Sequence, residues 1–386
     1  MKIGFLTPEF PHPKTGSAGG IGTSIMNLSK GLAQLGHEVS ILIYGQKEDA
    51  VFTEDGIVYH QIKNIKIKGL SRYLTQKKIE NRINSLVKKQ ELDLVEAADW
   101  TGITSFIKPN CPLIIKLHGS DTYFCHLDNR PVKAINKFHE KRALQNATDL
   151  LSVSQYTAMI TNTVFGQSQS YAIIPNAVNS QAFDATGGQV SVEENTILYF
   201  GTLIRKKGAL ELPLIFNQVY KKNLKAKLIL IGRDSNDVIS GNASTWKMMQ
   251  ELFDPAALKN VTYRGSIPYS EMRENIIKAA ICIFPTFAEA LPVSWLEAMA
   301  MEKAVVASDI GWATEIIEDG KTGLLAHPQN HTEYAAKINQ LLSNDEERSA
   351  MGKAARQRIL DVFDLPVISR KNVGFYELAL KKYKAK

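Results

Sequence analysis

The chain has 386 residues, 44% hydrophobic and 22% charged, with a formal net charge of +7. That length exceeds one compact core and suits two α/β domains, and the composition is that of an ordinary soluble globular protein, not a disordered or fibrous one. No apolar run approaches the roughly 20 residues needed to span a bilayer.

The first strand-length segment, Lys2–Leu6, is followed by Pro8, Pro11 and Pro13, which break the apolar run, so the start does not read as a signal peptide. Cys111, Cys125 and Cys282 lie far apart without metal-ligand spacing, which predicts reduced thiols and a cytoplasmic location. A helix over Ile21–Gly36 ends on its glycine, and Glu38–Ile43 resumes as strand. Further strands are predicted at Asp93–Glu96, Leu113–Leu117, Asp149–Val153 and Ser170–Ile174, and helices at Ser71–Gln90, Val132–Asn146 and Gln155–Phe165. Pro175-Asn176-Ala177-Val178-Asn179 and Ala185-Thr186-Gly187-Gly188 break the pattern and read as a linker between domains.

The alternation then restarts. Strands are predicted at Thr196–Phe200, Lys227–Ile231, Val261–Tyr263, Ile281–Pro285 and Ala304–Ala307. Helices are predicted at Ala209–Lys222, Tyr269–Ala279, Pro292–Met301, Thr332–Leu342 and Asp345–Val362, and another follows Pro366 over Val367–Lys384. Such alternation predicts two parallel sheets, each covered by helices, with a ligand cleft at the carboxyl ends of the strands.

Basic residues gather between Lys63 and Lys89: Lys63, Lys66, Lys68, Arg72, Lys77, Lys78, Arg82, Lys88 and Lys89, opposed mainly by Glu80. Lys381, Lys382, Lys384 and Lys386 form a second cluster. Two readings stand for the first stretch: a solvated helical face, or a surface meeting anionic headgroups or an anionic substrate. No aromatic residues interleave with a nucleic-acid signature, so no nucleic-acid partner is expected.

The most informative segment runs from Phe284 to Ala300 as strand, turn and helix. Pro292 suits the first helical turn, and the amides of Ala290, Leu291 and Val293 there lack intrahelical partners, which makes an anion site. Glu289 precedes that turn and Glu297 follows it in the helix. Two carboxylates flanking an anion site suit a sugar on one side of a diphosphate and a ribose on the other. The plainer alternative is that Glu289 caps the helix dipole and Glu297 is merely exposed. Gly201–Gly208, with Arg205, Lys206 and Lys207, is a second phosphate candidate just past a strand. Gly16–Gly22 opens a helix and permits close backbone approach, but it is not Gly-x-Gly-x-x-Gly, which argues against a dinucleotide-dependent oxidoreductase. No Asp-x-Asp occurs, so no metal-bridged diphosphate is expected.

Taken together these residues resemble the family-4 retaining glycosyltransferases. The family hallmark is a Glu, seven residues and a second Glu after a strand ending in Pro-Ser or Pro-Thr. Glu289, Glu297, Pro285-Thr286 and Leu296-Glu297-Ala298-Met299-Ala300 match it, and further matches run along the whole chain at Gly16–Gly22, His118–Asp121, Pro175–Val178, Gly201–Gly208 and Gly311–Gly323. The resemblance implies the GT-B architecture: two Rossmann-like doubly wound domains facing each other across a cleft, with a C-terminal helix returning to the N-terminal domain. Residues 1–178 with 366–386 would bind acceptor, and 179–365 would bind donor. It implies that Glu289 contacts the donor sugar, that Glu297 binds ribose hydroxyls, and that His118 lies beside the anomeric centre, with Asp121 orienting it or binding acceptor. Gly19 and Gly20 would lie near the diphosphate, as would Gly201, Lys207, Ala290, Leu291, Pro292 and Val293. Gly311, Glu315 and Gly323 would shape the base and sugar pockets.

The chain departs from the family at Thr202, where arginine is commoner, and Arg205 is expected to supply the missing guanidinium. Ala177, Asn179 and Ala290 stand where the family usually has Gly, Asp and Gly. The implied reaction uses a UDP- or GDP-linked sugar as substrate, with no cofactor or metal, and closure about Asn176 and Pro366 to exclude water. The acceptor is a glycan, lipid-linked or small-molecule hydroxyl in bacterial-type polysaccharide or glycoconjugate synthesis. Lys63–Lys89 would then place the enzyme peripherally on an anionic membrane. A nucleotide-sugar epimerase or a phosphorylase on the same fold is the rival reading, and the oligomeric state is left open.

Overall fold

The computed structural model describes residues 1–16, 19–184 and 191–385. Ser17 and Ala18 of the first glycine loop, the Ala185–Gly188 part of the expected linker and Lys386 lie outside them. The chain forms two units, Met1–Ala177 with Leu365–Lys386, and Val178–Asp364.

In the first unit the strands are β1 (Lys2–Thr7), β2 (Glu38–Gln46), β3 (Ala50–Glu54), β4 (Ile57–Lys63), β5 (Leu94–Ala98), β6 (Leu113–Leu117), β7 (Asp149–Ser152) and β8 (Ala172–Ile173). Their order in the sheet is β3-β4-β2-β1-β5-β6-β7-β8. β1, β5 and β6 are mostly apolar and almost wholly buried, as strands covered on both faces must be, with Glu96 on β5 and Lys116 on β6 buried among apolar neighbours. The helices are α1 (Gly20–Gln34), α2 (Ser71–Lys88), α3 (Asp121–Leu127), α4 (Ala134–Asn146) and α5 (Gln155–Phe165).

One part of the sheet was not expected. β3 and β4 form an antiparallel hairpin, so this sheet is mixed and not wholly parallel. Asp55 and Gly56 turn it with φ of 50° and 75°, the positive pair that a two-residue hairpin turn requires.

The second unit carries β9 (Thr196–Phe200), β10 (Lys227–Ile231), β11 (Val261–Tyr263), β12 (Ile281–Phe284), β13 (Ala304–Ser308) and β14 (Leu324–Ala326). They are parallel throughout, in the order β11-β10-β9-β12-β13-β14. Its helices are α6 (Glu211–Lys222), α7 (Thr245–Leu252), α8 (Pro255–Leu258), α9 (Tyr269–Lys278), α10 (Val293–Ala300), α11 (Ala313–Ile316), α12 (His331–Ser343) and α13 (Asp345–Arg358). A π turn over Ile359–Phe363 then ends the unit.

The last helix, α14 (Leu365–Lys384), belongs to the first unit, as expected of the C-terminal helix. It packs on α1 at Gly31, where a Cβ would stand 2.1 Å from Ser369 Oγ and 2.7 Å from Leu365 Cδ1. Tyr376 donates a buried 2.6 Å hydrogen bond to Glu96 Oε2 on β5, and Lys382 pairs with Asp149 at 2.7 Å.

Much of the basic stretch is engaged within its own unit. Lys78 meets Asp49 at 2.6 Å, Lys77 meets Glu80 at 2.9 Å, and Arg82 bonds the buried His60 at 2.9 Å. Arg72 donates to the Thr101 carbonyl. Among the described residues no helix is long and apolar enough to cross a membrane.

Candidate active site

In the second unit the backbone brings the two motif segments together. Arg205–Lys207 form a 3-10 turn after β9, closed by Gly208 at φ +71°. A Cβ on Gly208 would lie 1.7 Å from the Pro285 carbonyl oxygen, so only glycine permits this approach. The amides of Phe287 and Ala288 both donate to the Lys206 carbonyl, at 2.9 and 3.1 Å. This stitching carries Lys207 to the turn before α10, where its Nζ stands 2.9 Å from Glu289 Oε1.

α10 begins at Val293, with Pro292 at its N-cap rather than inside the first turn. Ala290, Leu291 and Val293 are buried beside it, so the methyl that replaces the family glycine at 290 is withdrawn from solvent. Glu297 lies one turn into the helix and is only 5% exposed, which removes the reading of it as a plain surface residue. Tyr269, the first residue of α9, donates to its Oε1 at 2.5 Å. Burial pushes the Glu297 carboxyl up to about 7, although the Tyr269 hydroxyl and the Lys207 charge favour its ionised form.

Arg205 faces elsewhere. Its Nε and Nη2 hold both oxygens of Asp237 at 2.9 and 2.7 Å, a bidentate pair. The Asp237 side chain is 1% exposed, and Arg205 holds its carboxyl well below the usual range. Thr202 offers no cation, so the guanidinium expected from Arg205 is committed to the loop after β10.

In the first unit His118 follows β6, half-buried, and burial with the nearby Lys116 lowers its pKa to about 3, so the imidazole is neutral. Its amide donates to Asp99 Oδ1 at 2.9 Å. Asp99, the residue after β5, is a buried carboxyl raised by desolvation to about 7. Asp121 does not reach for the imidazole: its oxygens take Asn136 Nδ2 at 2.9 Å and the Cys125 thiol.

The glycine loop at α1 has its own anion. Glu9 Oε1 accepts from the Gly19 and Gly22 amides at 2.9 and 3.1 Å, satisfying two donors of the helix start. Asp99 in the first unit, and Tyr269 and Asp237 in the second, are partners of the expected residues that the motif reading missed, whereas Glu9 lies in the Pro8–His12 loop that the sequence places near the ligand cleft. No local pattern gave Asp99, Tyr269 and Asp237 away, because each meets its partner across a long sequence separation. Among the described residues no group of three or more His, Cys, Asp or Glu side chains could hold a metal ion.

Two Rossmann-like units, one sheet parallel throughout and the other parallel except for its edge strand β3, with a Glu-x7-Glu segment at the start of α10, define the GT-B class of glycosyltransferase. The chain belongs to glycosyltransferase family 4: residues 18–182 match Glycosyltransferase Family 4, and residues 184–358 match Glycosyl transferases group 1. It is 25% identical over 364 residues to an uncharacterized glycosyltransferase of Methanocaldococcus jannaschii, covering 92% of this chain and 93% of the relative. Sucrose-phosphate synthase from Thermosynechococcus elongatus superposes with a TM-score of 0.80 at 19% identity, covering all of both chains. Anabaena HepE, solved in complex with UDP and glucose, superposes with a TM-score of 0.75 at 18% identity, covering 98% of this chain and 99% of that one. The protein is a glycosyltransferase.

Proposed function

We propose that the enzyme moves a sugar from a UDP- or GDP-linked donor to an acceptor hydroxyl, with retention of anomeric configuration and without a metal. The observation that carries this reading is the pair of carboxylates about the start of α10, Glu289 held by Lys207 and Glu297 held by Tyr269. Glu297, buried and hydrogen-bonded, suits paired ribose hydroxyls, and Glu289 suits the sugar. Lys207 and the positive end of α10 are cationic features for the diphosphate as it leaves. That HepE binds UDP and glucose supports a nucleotide-sugar donor.

In the proposed step the anomeric C–O bond to the diphosphate breaks as the acceptor oxygen bonds to that carbon from the same face. The proton of the acceptor hydroxyl passes to the departing phosphate oxygen, so no separate general base is required. His118, neutral at physiological pH, is assigned to the donor sugar by the family resemblance. A glycan or lipid-linked acceptor in polysaccharide or glycoconjugate synthesis fits the same reading.

A panel of nucleotide sugars screened by thermal shift tests the donor, since binding to the folded state raises the melting temperature by mass action. The matching sugar is then turned over with candidate acceptors in EDTA, and the product's anomeric configuration is read by NMR. No stabilisation by any nucleotide sugar, abolition by EDTA, or an inverted product would each overturn the corresponding part.

A further inference from the structure

The parallel neighbours β9 and β10 end side by side, with Phe200 opposite Ile231. Both strands continue into glycine, Gly201 at φ +150° and Gly232 at φ +148°. A Cβ on Gly232 would fall 1.9 Å from the Gly201 carbonyl oxygen, so the two backbones can abut here only without side chains. A Cβ on Gly201 would have Lys207 Cδ at 3.8 Å and no backbone neighbour closer, so Lys207 borders this glycine floor. The Gly201 amide donates to the Ile231 carbonyl, and the Leu203 amide donates to the Arg233 carbonyl, both at 2.9 Å. Arg233 is therefore fixed by its backbone to the loop that carries Thr202 and Lys207.

Ligands of open parallel sheets bind beyond the carboxyl ends of the strands, which is where this floor lies. Two arginines on the segments that leave this floor, Arg205 after β9 and Arg233 after β10, differ in what they are doing. Arg205 holds the buried Asp237 with both ends of its fork, and withdrawing it would strand a desolvated carboxylate. Arg233 is exposed, and among the described residues it has no acidic partner. We propose that Arg233, rather than Arg205, supplies the guanidinium that meets the diphosphate of the donor, in the place that Thr202 leaves without one. The assignment rests on the nucleotide-sugar reading above. The planar fork of arginine suits phosphate oxygens, and the glycine floor admits the phosphate close to the backbone.

The test is calorimetric titration of the full chain with UDP, GDP and ADP, and with the matching nucleoside, which lacks phosphate. Against the nucleoside diphosphate that the wild type binds, Arg233→Ala should weaken binding roughly 10- to 100-fold, the loss of a charge-assisted contact. Arg233→Lys should recover part of it, nucleoside binding should stay unchanged, and the melting temperature should stay at the wild-type value. Arg205→Ala should lower the melting temperature instead, because Asp237 loses its partner. If Arg233→Ala binds the diphosphate as the wild type does, the assignment falls while the donor reading stands. If the wild type binds none of the three diphosphates, the donor reading falls and takes the assignment with it.

Discussion

The exposed Tyr269 donates its phenol at 2.5 Å to the buried Glu297, whose carboxyl burial has raised to about 7. A ribose-binding carboxylate works as a double acceptor, which requires the ionised form. Donor affinity should therefore rise with pH through about 7 and level off above it. The Tyr269 hydroxyl favours the ionised form, so Tyr269→Phe should move the midpoint upward. Glu297→Gln should weaken binding and abolish the pH dependence. Titration of the nucleoside diphosphate between about pH 5.5 and 8.5, which brackets the shift, measures all three, and a flat wild-type profile would refute the role.

Lys207 and Glu289 share a 2.9 Å ion pair that is only partly shielded from solvent. If Lys207 stabilises the departing diphosphate, its contribution grows as negative charge develops and belongs to kcat. Lys207→Ala should lower kcat roughly 100- to 1,000-fold. The fold should survive, since Gly208 and the Lys206 carbonyl, not the lysine side chain, tie this turn to the segment before α10. Steady-state kinetics with circular dichroism on the same sample separates the two effects.

Asp99 gives a stability prediction with a definite sign. Its carboxyl is raised from 3.8 to about 7 by desolvation, even though the His118 amide favours the charged form. The native state thus holds this proton more tightly than the unfolded chain does. Its contribution to stability is fully present below 3.8 and is lost as pH rises through about 7. Glu297 adds a second contribution of the same sign between 4.5 and about 7. His60, His118 and His139, whose pKa values burial lowers, work in the opposite direction, so the measurement is a difference: relative to the wild type, Asp99→Asn should gain several degrees of melting temperature between pH 5 and pH 8, roughly the window of the Asp99 shift.

The alternation of strands and helices was readable because buried parallel strands such as β6 are short apolar runs, and helices such as α5 carry a capping serine and a terminal glycine. The β3–β4 hairpin was missed although Asp55-Gly56 is a strong turn signal, because its edge strand is short and largely exposed and lacks the long apolar run of a buried strand. α7 was passed over in the polar stretch after β10, where only Ser244 marks its start. Glu289 and Glu297 were legible as a motif. Their partners were not, since Lys207 reaches Glu289 through backbone bonds from Lys206 to Phe287 and Ala288 that no local pattern encodes. Arg205 shows the same limit: its charge was evident, but the buried Asp237 that occupies it lies on a distant loop. Counting lysines between Lys63 and Lys89 likewise could not show that Lys78 meets Asp49 or that Arg82 meets His60.

Glu9 decides what the first glycine loop does. Its Oε1 takes the Gly19 and Gly22 amides at the start of α1, a side-chain cap supplied from before the helix, and its charge lies at the positive end of the dipole. Glu9→Ala should cost about 1 kcal/mol of stability, as loss of a helix cap does. Glu9→Gln keeps an acceptor but not the charge, and should fall between alanine and wild type. Nucleoside diphosphate affinity should not change in either variant, because the Gly19 and Gly22 amides are already taken by Glu9 and the phosphate contacts proposed above lie in the second unit. Tighter binding by Glu9→Ala would mean the reverse: that Gly19 and Gly20 face the phosphate, as the family resemblance implies, and that Glu9 shields them. Thermal denaturation and calorimetry on the same two variants distinguish a cap from a shield.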